Sequence, residues 1–267
     1  MDVDVAIMNG GGVRNKAITG DISYKVCKQI HTFGNVACLQ TITGQQLLDA
    51  LEWGARTAGS GEECGGFLQV SGITYKIDTE WPDSTQKDDK GVWIGGPTGG
   101  YRVHDVKVYN KETDAWDDLD LNGSYNLAGY NYTLRNLGDG FNMFSGAVNV
   151  LDYVMEDYMV LANYVQAFEG GVVEATNSPL SAKYPGMMVD YGTVQGSGRI
   201  VMEAAQRVEE TEPAEETPET QAPATEAPTE PAAEEQTSSG STVAVVVVAA
   251  IILAAVVVIV ILRKKKK

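Results

Sequence analysis

The chain has 267 residues, enough for one or two domains, and 43% of them are hydrophobic, which is sufficient for a packed core. Acidic residues outnumber Lys and Arg by 36 to 20, so the net charge of −16 argues against a nucleic-acid partner. The sequence holds two histidines, His31 and His104, and three cysteines without a CxxC pair. A two-metal hydrolase centre that needs several histidine ligands therefore cannot be complete in these residues.

The first elements are short and separated by glycine. Alternation over residues 3–7 predicts a strand that ends at Asn9, and three glycines then form a tight turn before Arg14. Apolar residues at four-residue spacing predict a helix over 22–30, capped by residues 19–21. A second strand is expected over 36–41.

The middle of the chain mixes strands and helices without a regular βαβ repeat. Thr43 and Gln46 form a capping box that predicts the start of a helix through residue 53. Further strands are predicted over 67–77, 101–109 and 125–132, and a helix over 148–168. This order predicts an α+β domain over residues 1–207, with a mixed β-sheet and packed helices.

The C-terminal part differs in composition from the rest. Residues 243–262 are all apolar and long enough, at about 1.5 Å per residue, to span a bilayer as one transmembrane helix. The basic tail 263–267 places the C-terminus in the cytoplasm by the positive-inside rule. Residues 208–242 are rich in Glu, Pro and Thr, which predicts a disordered stalk. We therefore expect a single-pass cell-membrane protein with an extracellular globular domain, as on a bacterial surface.

The N-terminus has neither the basic region nor the apolar core of a signal peptide. A globular part that lies outside the cell would need such a signal. The expectation is that this chain is the C-terminal part of a longer protein.

Three short motifs have both a structural and a functional interpretation. The turn from Asn9 to Arg14 is neither a Walker loop nor a dinucleotide fingerprint, and three glycines at a strand end are more often structural. They also permit close approach of the backbone to a ligand. Phe33, in a turn, is either a core residue or a stacking ring. Asp139, between two glycines, is either an ordinary turn residue or an accessible carboxylate.

Taken in order, five motifs are similar to those of the C-terminal domain of the 5′-nucleotidase family: NGGGVR, TFGN, the Thr43-Gly44 helix, GGFLQVSGITY and NYTLRNLGDGF. The resemblance covers about residues 3–202. The family also includes UDP-sugar hydrolases and 2′,3′-cyclic nucleotide phosphodiesterases. The fold that it implies is the mixed-sheet α+β domain expected above.

The resemblance implies a nucleoside pocket built from five residues. Asn9 and Arg14 would contact the base and the substrate's oxygens, Phe33 and Tyr132 would stack on the two faces of the base, and Asp139 would hold the ribose hydroxyls. Two positions depart from the family motifs: Thr32 replaces a proline before Phe33, and the stretch from Tyr132 to Asp139 is one residue longer than usual. Further arginines that contact substrate in the family lie upstream of the first strand and have no counterpart here.

In the family, catalysis belongs to an N-terminal metallophosphatase domain that holds two divalent metal ions. No catalytic residue, metal ligand or cofactor is therefore expected in this chain. The resemblance implies the substrate-recognition half of an anchored extracellular 5′-nucleotidase, with nucleoside or nucleotide, the lipid bilayer and the metallophosphatase domain as partners. The alternatives are a non-enzymatic surface module for ligand binding or adhesion, and a UDP-sugar or 2′,3′-cyclic nucleotide hydrolase.

Overall fold

The computed structural model describes residues 2–14, 20–187, 189–192 and 198–204. The predicted stalk, transmembrane helix and basic tail lie outside these residues. Within them, no helix combines the length and the apolar composition that a membrane crossing requires.

The described part of the chain contains short strands and a few short helices. The strands are β1 Val5–Asn9, β2 Ala37–Thr43, β3 Leu68–Ser71, β4 Ile73–Asp78, β5 Gln86–Lys87, β6 Trp93–Gly95, β7 Val103–Asn110, β8 Ala115–Asp118, β9 Ser124–Tyr130, β10 Val148–Leu151 and β11 Ile200–Glu203. The helices are α1 Tyr24–Ile30, α2 Gly44–Gly54, α3 Asn131–Leu134, α4 Asp157–Gln166 and α5 Pro179–Lys183.

Two sheets carry most of the strands. The first has the order β10-β2-β9-β1-β3; β1 runs parallel to β9, and the other pairs are antiparallel. The second has the order β11-β4-β7-β8, and β5 pairs with β6. The predicted mixed-sheet α+β architecture is confirmed.

Several element boundaries differ from the prediction. The run 67–77 is two strands in different sheets, because the chain turns at Gly72, where φ is +77° and a Cβ would collide with the Asp4 carbonyl oxygen. The predicted helix 148–168 begins as strand β10, which pairs with β2, and becomes helical only at Asp157. Helix α1 starts after Ser23, whose hydroxyl accepts from the Val26 N–H, and not after residues 19–21.

Helix α2 is the central packing element. The capping box is present as predicted: the Thr43 hydroxyl accepts from the Gln46 N–H at 3.1 Å, and the Gln46 side chain accepts from the Thr43 N–H at 2.9 Å. Leu47, Leu51 and Trp53 are fully buried. Burial of each such side chain stabilises the fold by roughly 1.5–3 kcal/mol. These residues belong to one hydrophobic core that also contains residues of both sheets, so α2 joins the two sheets.

The end of α2 is held by a buried arginine. The Arg102 guanidinium donates to the carbonyl oxygens of Ala55 and Arg56 at 3.1 Å each, which are groups that a helix end leaves unpaired. The Glu52 carboxylate accepts from the backbone N–H groups of Arg102 and Val103 at 3.1 and 2.8 Å, and burial raises the pKa of Glu52. This network fixes the backbone that follows Trp53.

Candidate substrate-binding site

The topology of the first sheet brings the motifs to one edge. Strands β1 and β9 are parallel, so their last residues, Asn9 and Tyr130, lie at the same edge. The antiparallel partners begin there, with Ala37 of β2 opposite Tyr130 and Leu68 of β3 opposite Asn9. We call this end of the four strands the site edge. Loops separated by more than a hundred residues in the sequence therefore meet there.

Asp139 is the centre of a hydrogen-bonded group on the site edge. Its Oδ2 accepts from Nδ2 of Asn9 at 3.2 Å, and its Oδ1 accepts from the hydroxyl of Tyr132 at 2.9 Å. Asn9 is only 6% exposed, whereas Tyr132 and Asp139 are half-buried. The structure thus joins three of the five predicted residues directly.

The backbone of the Asp139 loop is fixed as well. Asp139 adopts the left-handed conformation with φ 55°, and its carbonyl accepts from the indole Nε1 of Trp53 at 2.9 Å. A Cβ on Gly138 would overlap the ring of Tyr132, so only glycine allows the ring to rest on the loop. Burial, followed by the hydrogen bond to Asp139, raises the pKa of Tyr132.

A pair of glycines forms the floor between the Asn9 turn and the Asp139 loop. The N–H of Gly11 donates to the carbonyl of Gly65 at 2.8 Å, and a Cβ on Gly66 would lie 3.2 Å from Cβ of Asp139. Sequence reasoning did not assign Gly65 and Gly66 to the site. The available signal was a glycine pair directly before a strand, which permits close approach of two backbones.

Arg14 and Phe33 form a second group. The guanidinium carbon of Arg14 lies 5.2 Å from the centroid of the Phe33 ring, within cation–π range. Phe33 is 57% exposed, so the interpretation of this ring as a core residue is wrong.

His31 connects this second group to the glycine turn. The ring is buried, hydrogen-bonds the backbone of Gly12 and makes an edge-to-face contact with Tyr130. Burial lowers the pKa of His31, against the opposing effects of Asp157 and the Gly12 hydrogen bond. The turn that carries Phe33 is therefore packed against the glycine turn and the end of β9.

The two predicted stacking rings do not touch: the ring contacts of the described residues include no Phe33–Tyr132 pair. A planar base between two rings needs their planes about 7 Å apart, since each contact requires about 3.5 Å. No group of three His, Cys, Asp or Glu side chains within the described ranges is placed to hold a metal ion.

The site edge has the chemistry of polar and aromatic recognition. Toward the described residues, each Asp139 oxygen uses one of its two acceptor positions, so the carboxylate can still accept from two hydroxyl groups. Phe33 offers an exposed face and Arg14 a cation beside it. A cavity of about 340 Å³ lies instead at the opposite edge of the sheet, next to Asp4 and Ser124.

The mixed sheet and this edge define an α+β domain with a candidate binding site. The family profile described as 5′-nucleotidase, C-terminal domain matches residues 1–146, and the chain belongs to that family.

The similar proteins include two curated bacterial proteins and a solved structure. The chain is 28% identical over 162 residues, 61% of its length, to the trifunctional nucleotide phosphoesterase protein YfkN of Bacillus subtilis, of which it covers 10%. It is 26% identical over 211 residues, 76% of its length, to the cell wall protein Lmo0130 of Listeria monocytogenes, of which it covers 24%.

The crystal structure of a 5′-nucleotidase precursor from Thermus thermophilus matches with a TM-score of 0.56 and 27% identity. That alignment covers 75% of this chain and 31% of the Thermus chain. The chain thus spans a third or less of the length of each of these three relatives.

Proposed function

We propose that the site edge binds the nucleoside part of a nucleotide for a 5′-nucleotidase-type hydrolase. The observation that carries this proposal is the Asp139 carboxylate, which is oriented by Asn9 and Tyr132 and retains acceptor positions for two vicinal hydroxyls. Phe33 stacks on the base, and Arg14 donates to its polar edge or to substrate oxygens. Tyr132 covers the other face of the base.

The reaction itself requires a second domain. In this proposal, a metallophosphatase domain with two divalent ions polarises the phosphoryl group and supplies the attacking water, releasing nucleoside and phosphate. The domain described here presents the substrate to that centre. Membership of the 5′-nucleotidase family and the likeness to the Thermus precursor support this division of labour.

The proposed location is the cell surface. Residues 243–262 would cross the bilayer, 208–242 would form the stalk, and 263–267 would lie in the cytoplasm. Support comes from the composition of this part of the chain and from the likeness to a Listeria protein named as a cell wall protein.

That likeness also favours the second candidate, a surface module that captures ligand without hydrolysis. The name of the Bacillus relative, a trifunctional nucleotide phosphoesterase, favours a wider range of phosphoester substrates. A UDP-sugar or 2′,3′-cyclic nucleotide hydrolase is the further alternative. Each of these alternatives uses the same nucleoside site.

Calorimetric titration of the full chain in detergent with adenosine, inosine and uridine tests the proposal. Ring stacking accepts any base, so we expect all three to bind within about tenfold of one another. Free ribose, which lacks the stacked base, should bind more weakly than any of them. Absence of binding by all three nucleosides would contradict the proposal.

A further inference from the structure

Arg56 places a cation beside the Asp139 loop. A Cβ on Gly66 would lie 3.4 Å from Nη1 of Arg56 and 3.2 Å from Cβ of Asp139, so both side chains lie against Gly66, as does the ring of Phe141. Neither the sequence motifs nor the resemblance pointed to this arginine. It lies two residues beyond α2, whose last residue, Gly54, packs against Leu68 at the start of β3.

The guanidinium of Arg56 is held in place from two sides. Its central carbon lies 4.3 Å from the centroid of the Trp53 ring, and Nη1 donates to the Trp53 carbonyl at 2.7 Å. The carbonyl of Arg56 accepts from buried Arg102. Because Trp53 also donates to the carbonyl of Asp139, one indole positions both the cation and the carboxylate loop.

Most of the hydrogen-bonding capacity of this arginine is unused. A guanidinium has five N–H donors, and the hydrogen bonds of the described residues use one of them. None of the ion pairs in the described ranges includes Arg56. A rigid, half-buried guanidinium with no acidic partner in the described part of the chain suits a phosphate, which it can bind through two parallel hydrogen bonds.

We propose that Arg56 is a specificity-determining residue that binds a phosphate monoester on the 2′ or 3′ oxygen of the ribose. This inference rests on the proposed function, in which Asp139 faces these two oxygens. A phosphate there would be repelled by the Asp139 carboxylate, and the neighbouring guanidinium offsets that repulsion. The site then accepts ribose with free hydroxyls and ribose phosphorylated on that side.

The test compares three ligands with three proteins in the full chain: adenosine, adenosine 3′-monophosphate and adenosine 5′-monophosphate, with wild type, Arg56→Gln and Arg56→Lys. Wild type is expected to bind the 3′-monophosphate at least as tightly as adenosine. Arg56→Gln should weaken binding of the 3′-monophosphate by about tenfold and leave adenosine within twofold. Arg56→Lys keeps the positive charge but cannot make two parallel hydrogen bonds. It should therefore lose less affinity for the 3′-monophosphate than Arg56→Gln does.

Three results would overturn the inference: an unchanged affinity of Arg56→Gln for the 3′-monophosphate, an equal loss for all three ligands, or a greater loss for the 5′-monophosphate. An equal loss would mean that Arg56 acts only by closing the end of α2, which a lowered melting temperature would accompany. If wild type binds adenosine, these results refute the role of Arg56 alone. If wild type binds none of the ligands, the proposed function fails.

Discussion

Replacement of Asp139 by Asn is expected to lower the affinity for adenosine by about 10- to 100-fold while leaving the fold intact. Hydrogen bonds to a charged acceptor contribute roughly 1.5–3 kcal/mol each, and the amide offers one neutral acceptor in place of the carboxylate. Asn tolerates the left-handed conformation with φ 55° that this position requires, so the loop keeps its shape. Calorimetry and thermal melting of wild type and Asp139→Asn measure both effects.

A ligand without the 2′- and 3′-hydroxyls provides the control for this prediction. Wild type should bind 2′,3′-dideoxyadenosine more weakly than adenosine, because this ligand lacks the two vicinal hydroxyls that Asp139 would accept from. Asp139→Asn should bind the two ligands almost equally. A variant that keeps the full preference for adenosine would show that another group recognises the ribose.

Replacement of Phe33 by Ala should lower the affinity for every nucleoside by about 5- to 150-fold. Stacking of a base on an aromatic ring is worth roughly 1–3 kcal/mol and depends little on the base. Since Phe33 is 57% exposed, the melting temperature should stay within a few degrees of wild type. Titration with adenosine and uridine measures the loss, which should be similar for both.

Variants of Tyr132 and Tyr24 complete this series. Tyr132→Phe keeps the ring and removes only the hydrogen bond to Asp139, so it should lose less affinity than Tyr132→Ala.

The double change of Phe33 and Tyr132 to Ala should abolish measurable binding. Tyr24→Ala removes an aromatic ring that is 49% exposed at the start of α1, and it should bind as wild type does. Wild-type affinity in the double variant would refute the two stacking assignments.

The features that the sequence predicted correctly are those set by neighbouring residues. The capping box needs only Thr43 and Gln46, three positions apart, and it forms as expected. The alternation of buried and partly exposed residues in the strand that ends at Asn9 follows the sequence pattern directly. The three glycines after it form a tight helical turn. Local hydrogen bonds and backbone freedom decide these elements, so no knowledge of the rest of the fold was required.

The features that were missed depend on distant contacts. The pattern over 148–151 is compatible with helix, yet pairing with β2, more than a hundred residues earlier, makes it a strand. Arg56 joins the site edge only because Gly66 and the Asp139 loop pack beside it. The five predicted residues were named through the family motifs. Their arrangement as two groups, Asn9–Tyr132–Asp139 and Arg14–Phe33, required the structure.

The central claim is that nucleosides bind at the site edge, and hydrogen–deuterium exchange with and without adenosine tests it most directly. Nucleoside binding there predicts slower exchange in the segments 9–14, 31–36, 65–68 and 131–141, which together form that edge. Exchange near Asp4, Lys111 and Ser124, around the cavity at the opposite edge, should not change. Protection of that cavity with no change in the four segments would contradict the account.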